Sequence, residues 1–221
     1  MPIWNHDVLN KAKRFVRLFV LFASMTLLMA PVNATQRLAC IGDSLTFMSP
    51  ARAQRGYPIA IEARSISGSS RAVGVFAVDS TTSISHVGYW NTNVRSKGYT
   101  HVAVLSGVND IITGVAQATT RANIQEIIDE ATTDGMTVLL LTLVPWSTNT
   151  DSSAPRQTAT LDHNAWLATK ASASVKIVDV YTGLGTPGTP SQLLAAYDSG
   201  DGLHFNDAGS AAIADLVLAQ L

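Results

Sequence analysis

Cysteine is nearly missing: Cys40 is the only one in 221 residues. An internal disulfide is therefore excluded, and a lone cysteine inside an apolar stretch acts as a small hydrophobe rather than a nucleophile. Runs of positive charge are also missing beyond Arg17, which argues against nucleic acid as a partner. His, Asp and Glu nowhere cluster at the spacing of metal ligands, so neither a metal nor another cofactor is expected. No apolar run reaches the roughly 20 residues that a membrane-spanning helix needs. Internal repeats are lacking, and no Pro- or Gly-rich linker divides the chain, so one folded domain is expected.

The longest apolar stretch present is Leu18 to Ala30, interrupted by Ser24 and Thr26. Lys11, Lys13, Arg14 and Arg17 precede it, and Pro31-Val32-Asn33-Ala34 follows. Basic, apolar and small residues in that order make a secretory leader. Residues 1–34 are read as a signal peptide cleaved after Ala34, which directs the protein to the periplasm or the medium. The mature chain, 35–221, keeps 11 basic and 15 acidic residues, a net charge of −4. After cleavage no integral membrane segment is left.

Short apolar stretches at 37–41, 73–78, 100–105, 137–144 and 175–180 read as strands. The run at 137–144 is almost unbroken, as in a central strand buried on both faces. Between the strands lie helical patterns. Residues 57–63 begin with Pro58 in the first turn. Ile124, Ile127, Ile128 and Ala131 share one helical face. A helix is expected at 162–171, after a long polar connection at 146–160, and a last one is capped by Asn206 or Asp207. Strands alternating with helices imply an α/β domain in three layers, α/β/α, around a parallel sheet of about five strands.

Three polar clusters stand out from this pattern. Gly42-Asp43-Ser44-Leu45 follows the first strand, Gly107-Val108-Asn109-Asp110 follows the third, and Asp201-Gly202-Leu203-His204 precedes the last helix. In a parallel sheet such turns collect at the carboxyl ends of the strands. A serine hydroxyl becomes a useful nucleophile only when an adjacent base takes its proton. His204 suits that task, and a carboxylate such as Asp201 can orient its ring and stabilise the imidazolium. Charge developing on an attacked carbonyl oxygen needs prepared donors, and the Ser44 N–H and the Asn109 side-chain amide fit that need. Asp43 is expected to point inward and brace the turn. His86, His101 and His163 are scattered and are read as structural. Trp90 and Trp146 follow strands, so they either line the site or pack against the sheet.

These clusters resemble, in residues and order, the motif blocks of the SGNH or GDSL hydrolases, serine esterases with a flavodoxin-like α/β/α fold. The resemblance runs from Leu38 to Leu221. It implies Ser44 as nucleophile, His204 and Asp201 as the other triad members, and Asn109 as an oxyanion donor. It also implies a second backbone donor from a glycine after the second strand, where this chain has Asp79 or, one register on, Ser80. An Asp79 carboxylate aimed at an oxyanion would oppose catalysis, so its side chain is expected to turn away and cap the following backbone. The substrate class implied is a small ester, either acetyl groups on carbohydrate or short acyl chains. Alternatives are lipid, lysophospholipid or thioester substrates, or a non-catalytic glycan-binding module that keeps the fold.

Overall fold

The computed structural model describes residues 36–47, 56–65, 71–186 and 192–221. The expected leader, 1–34, lies outside them, as do most of the loops at 47–56, 65–70 and 183–191. Residues 35–221 form one compact unit.

Five parallel strands make the sheet: β1 (Gln36–Gly42), β2 (Arg71–Ala77), β3 (His101–Leu105), β4 (Thr137–Leu141) and β5 (Val175–Val178), in the order β2-β1-β3-β4-β5. Successive side chains on a strand point to opposite faces, and here both faces are covered. Leu38 and Cys40 of β1, with Ala103, Leu105, Leu139 and Leu141, pack against Tyr57 and Ile61 of α1 (Tyr57–Ser65) and Ile213 and Val217 of α7 (Asp207–Leu218). The alternate residues Ala39, Ile41, Val102, Val104, Val138 and Leu140 pack on the other side. Their partners are Val87 of α2 (Ser83–Tyr89), Ile124, Ile127 and Ile128 of α4 (Gln117–Thr133), and Leu167 of α5 (Ala154–Ala168). This is the flavodoxin-like three-layer α/β/α arrangement. The short helices α3 (Val108–Thr113) and α6 (Val180–Leu184) begin directly beyond β3 and β5.

Several boundaries differ from the sequence reading. β2 is an edge strand that starts at Arg71 and ends at Ala77, with Val75 exposed; one open face blurs its alternation. α2 continues into a π-helical turn, Trp90–Val94. α5 begins at Ala154 rather than 162, with Pro in its first turn. Its buried face is Thr160, His163 and Leu167, and two polar residues in that face hide the helical period. β5 stops at Val178, because Asp179 caps α6 by accepting the Thr182 N–H at 3.0 Å. Asn206 caps α7, accepting from Gly209 N–H at 2.9 Å. Among the described residues no helix is long and apolar enough to cross a membrane.

From β1 the chain crosses to β2 on one side and then returns to β3 on the other. Ligand sites of open α/β sheets form at the carboxyl ends of strands where the winding reverses in this way. Ser44 follows β1 and Asn109 follows β3, so both lie at that place.

Candidate active site

β1 ends at Gly42 because the chain crowds there. A Cβ on this residue would come 2.7 Å from the Leu105 carbonyl and closer still to the Thr46 side chain. The next residue, Asp43, is only 1 % exposed and turns its carboxylate inward. Its Oδ1 accepts the Leu45 N–H at 2.9 Å, while its main-chain carbonyl accepts from Thr46 and Phe47 at 3.0 and 2.9 Å. These bonds define a tight turn with Ser44 at its half-buried outer side. Burial pushes the Asp43 carboxyl up to about 7, against the pull of the Leu45 N–H and with help from the Asp110 and Asp79 carboxylates. Asp43 thus braces the turn from beneath.

His204 arrives from the loop before α7. His204 Nε2 lies 2.9 Å from Ser44 Oγ, and His204 Nδ1 lies 2.7 Å from Asp201 Oδ2. An ionised carboxylate only accepts, so Nδ1 carries the ring proton and Nε2 presents its lone pair to the serine hydroxyl. Asp201 Oδ1 accepts the N–H groups of Leu203 and His204 at 3.0 and 2.8 Å. Partial burial raises the Asp201 carboxyl, but those two amides and the His204 ring outweigh it and hold the group below its ordinary value. The loop itself is fixed from outside. Asn149 Nδ2 donates to the Asp201 carbonyl at 2.8 Å, and Asp198 Oδ1 accepts from Gly200 and Gly202 at 2.8 and 3.0 Å. Gly202 has φ 75°, and a Cβ there would meet the Asn149 backbone nitrogen at 2.8 Å.

Asn109 sits in the first turn of α3, behind Gly107 with φ 123°. Its Nδ2 donates to the Thr81 carbonyl at 3.0 Å. Among the described residues no acceptor is bonded to the Ser44 N–H. Asp79 is exposed, in a turn closed by Thr81 N–H on the Val78 carbonyl. The left-handed conformation that favours glycine falls one residue later, on Ser80, with φ 60°. The cap expected of Asp79 is made by another residue: Asp110 Oδ2 accepts the Ser83 N–H at the start of α2, at 2.9 Å.

Asp110 belongs to a buried polar layer that the sequence did not single out. Its Oδ1 also accepts from Ser83 Oγ at 2.5 Å and Thr120 Oγ1 at 3.0 Å. His86 and His163 are buried as expected of structural residues, and burial pushes both down to about 4. His101 is likewise lowered, by burial and then by Arg71. Trp90 and Trp146 are fully buried, donating to Glu130 at 2.6 Å and Thr160 at 2.9 Å, so neither lines the site. The signal for the layer lay in Thr120, a polar residue on the otherwise apolar face of α4.

Solved structures share this fold. A G-D-S-L family protein from Desulfitobacterium hafniense superposes with a TM-score of 0.71 at 18% identity, over 84% of this chain and 99% of that one. An acetylxylan esterase from Geobacillus stearothermophilus, in a catalytic mutant, gives 0.70 at 16%, over 86% and 95%. A lipase/acylhydrolase from Enterococcus faecalis gives 0.66 at 18%, over 84% and 94%. At these identities the likeness concerns the fold alone. No curated protein matches the sequence. A model of the GDSL-like lipase/acylhydrolase family matches residues 40–212, a span that contains the turn of Ser44, the start of α3 and the loop of His204, and the chain belongs to that family.

Proposed function

We propose that this chain is an exported serine esterase that hydrolyses small esters through an acyl-enzyme. The observation that carries the reading is the hydrogen-bonded series Ser44 Oγ, His204 Nε2, His204 Nδ1, Asp201 Oδ2, at 2.9 and 2.7 Å. Ser44 Oγ attacks the ester carbonyl while His204 takes its proton, and His204 then returns that proton to the departing alcohol. Water enters, gives a proton to His204 and attacks the acyl carbon, and the acid leaves as His204 returns that proton to Ser44 Oγ. Asp201 holds the ring in the reactive tautomer. The Ser44 N–H and the Asn109 amide receive the oxyanion, with the N–H of Ser80 or Asp79 as third donor.

Acetyl groups on carbohydrate are the first substrates to test, since one protein of the same fold is an acetylxylan esterase; short-chain acyl esters are the second. The leader at 1–34 fits either, because polymeric or surface-bound esters are met outside the cell. A fluorophosphonate probe should label Ser44 in the wild type and nothing in Ser44→Ala. That substitution should lower kcat by about 10³-fold or more with an unchanged melting temperature. Unchanged turnover in Ser44→Ala would end this reading. Acetylated xylo-oligosaccharides beside p-nitrophenyl esters from acetate to octanoate would rank the acyl groups.

A further inference from the structure

The Asn109 amide nitrogen carries two hydrogens in one plane. One is committed to the Thr81 carbonyl at 3.0 Å, which fixes the plane and the direction of the other. The direction of an oxyanion donor therefore depends on where the Thr81 carbonyl stands. Thr81 ends a turn whose preceding residue, Ser80, has φ 60°, a backbone state that serine does not favour. Something else must hold it. Thr81 Oγ1 donates to the Val78 carbonyl at 2.7 Å and lies 3.3 Å from His86 Nε2. His86 Nδ1 lies 2.7 Å from Ser106 Oγ. Ser106 directly follows β3 and leads through Gly107 to Asn109, so the series closes on itself.

Proton order follows from the inventory of donors. The single Thr81 hydroxyl hydrogen goes to a carbonyl, which can only accept. Toward His86 the hydroxyl therefore accepts, Nε2 carries the ring hydrogen, and Nδ1 accepts from Ser106. His86 and Ser106 are 0 % and 2 % exposed, so water does not compete for these bonds.

We propose that Ser106, His86 and the Thr81 hydroxyl form a positioning relay that aims the Asn109 amide at the oxyanion. This rests on the proposed role of Asn109. None of the three touches substrate; they act through Asn109. A network that acts only through one donor should lose its effect when that donor is gone.

The experiment measures kcat, KM and inhibition by an alkylboronic acid, which forms a tetrahedral adduct on Ser44. The variants are Thr81→Val, Thr81→Ser, Ser106→Ala, Asn109→Ala and the double variant Thr81→Val/Asn109→Ala. Asn109→Ala should lose about 10²-fold in kcat. Thr81→Val should lose about tenfold in kcat and in boronate affinity with KM little changed, and Thr81→Ser should restore both. Ser106→Ala should fall in the same direction, and it serves where Thr81→Val does not fold. The double variant should be no worse than Asn109→Ala. Losses that multiply in the double variant would overturn the relay, as would an unchanged kcat in Thr81→Val and Ser106→Ala while Asn109→Ala is impaired. Full activity in Asn109→Ala would instead defeat the oxyanion role of Asn109, and the relay with it.

Discussion

Asp43 places a carboxyl group in the interior, directly before Ser44. Its Oδ1 has the Leu45 N–H, and its Oδ2 is buried without a partner among the described residues. Desolvation raises the group from 3.8 to about 7. The sign of its effect on stability is set by proton counting. Below about pH 4 the group is protonated in both folded and unfolded chains. Between about 4 and 7 the unfolded chain ionises while the folded one keeps its proton, so stability falls as pH rises. Above about 7 the loss is complete and constant. Asparagine reproduces the neutral acid: its oxygen accepts from Leu45, and its nitrogen takes the place of the protonated oxygen. Asp43→Asn should therefore raise stability at pH 8 by about 1–4 kcal/mol, or several degrees in Tm at ~2–4 °C per kcal/mol. The gain should vanish by about pH 4. Thermal melts of both proteins across that range check it; a gain equal at both ends would mean that ionisation is not its source.

The turn between β2 and α2 separates two neighbouring residues that the sequence could not tell apart. Ser80 holds the left-handed conformation and Asp79 does not. A β-branched residue at such a position costs about 1–3 kcal/mol, and glycine costs little. Ser80→Val should thus lower the urea midpoint clearly, Ser80→Gly should leave it nearly unchanged, and Asp79→Gly should change kcat by less than about tenfold. Equal tolerance of Val at 80 would remove strain from the account. Other elements were easier to read. β4 is Thr-Val-Leu-Leu-Leu, and burial on both faces leaves an apolar run that reads as a strand over 137–144, three residues beyond its end at Leu141, because Leu143 and Val144 are also buried. The buried face of α2 is Ser83, His86 and Val87, mostly polar, so periodicity gave no helix there. Gly42-Asp43-Ser44 and Asp201-Gly202-Leu203-His204 were legible because each cluster is contiguous and carries its own chemistry. The relay was not, since Ser106, His86 and Thr81 come from three elements and meet only after folding.

In the unit 35–221 the first and last described residues meet. Gln36 Nε2 donates to the Leu221 carbonyl at 3.1 Å, and Gln36 Oε1 accepts from Arg71 Nε at 2.6 Å. The buried cores on both sides of the sheet are drawn from residues between Leu38 and Val217. Ser44 and His204, 160 positions apart in the chain, are joined only when β1, an inner strand of the sheet next to the β2 edge, and the loop before α7 have both docked. Folding of this unit and the pairing of Ser44 with His204 are therefore expected to be one event. Two outcomes are expected. The exported protein should begin at Thr35, as N-terminal sequencing of material from the periplasm or medium would read. A chain expressed as 35–221 should unfold in one cooperative transition and lose fluorophosphonate labelling at the same urea concentration as its fluorescence signal. Labelling that disappears well before the fluorescence transition would mean that the loop of His204 detaches while the sheet stays intact. Failure of 35–221 to fold would mean that the preceding residues belong to the domain and are no leader.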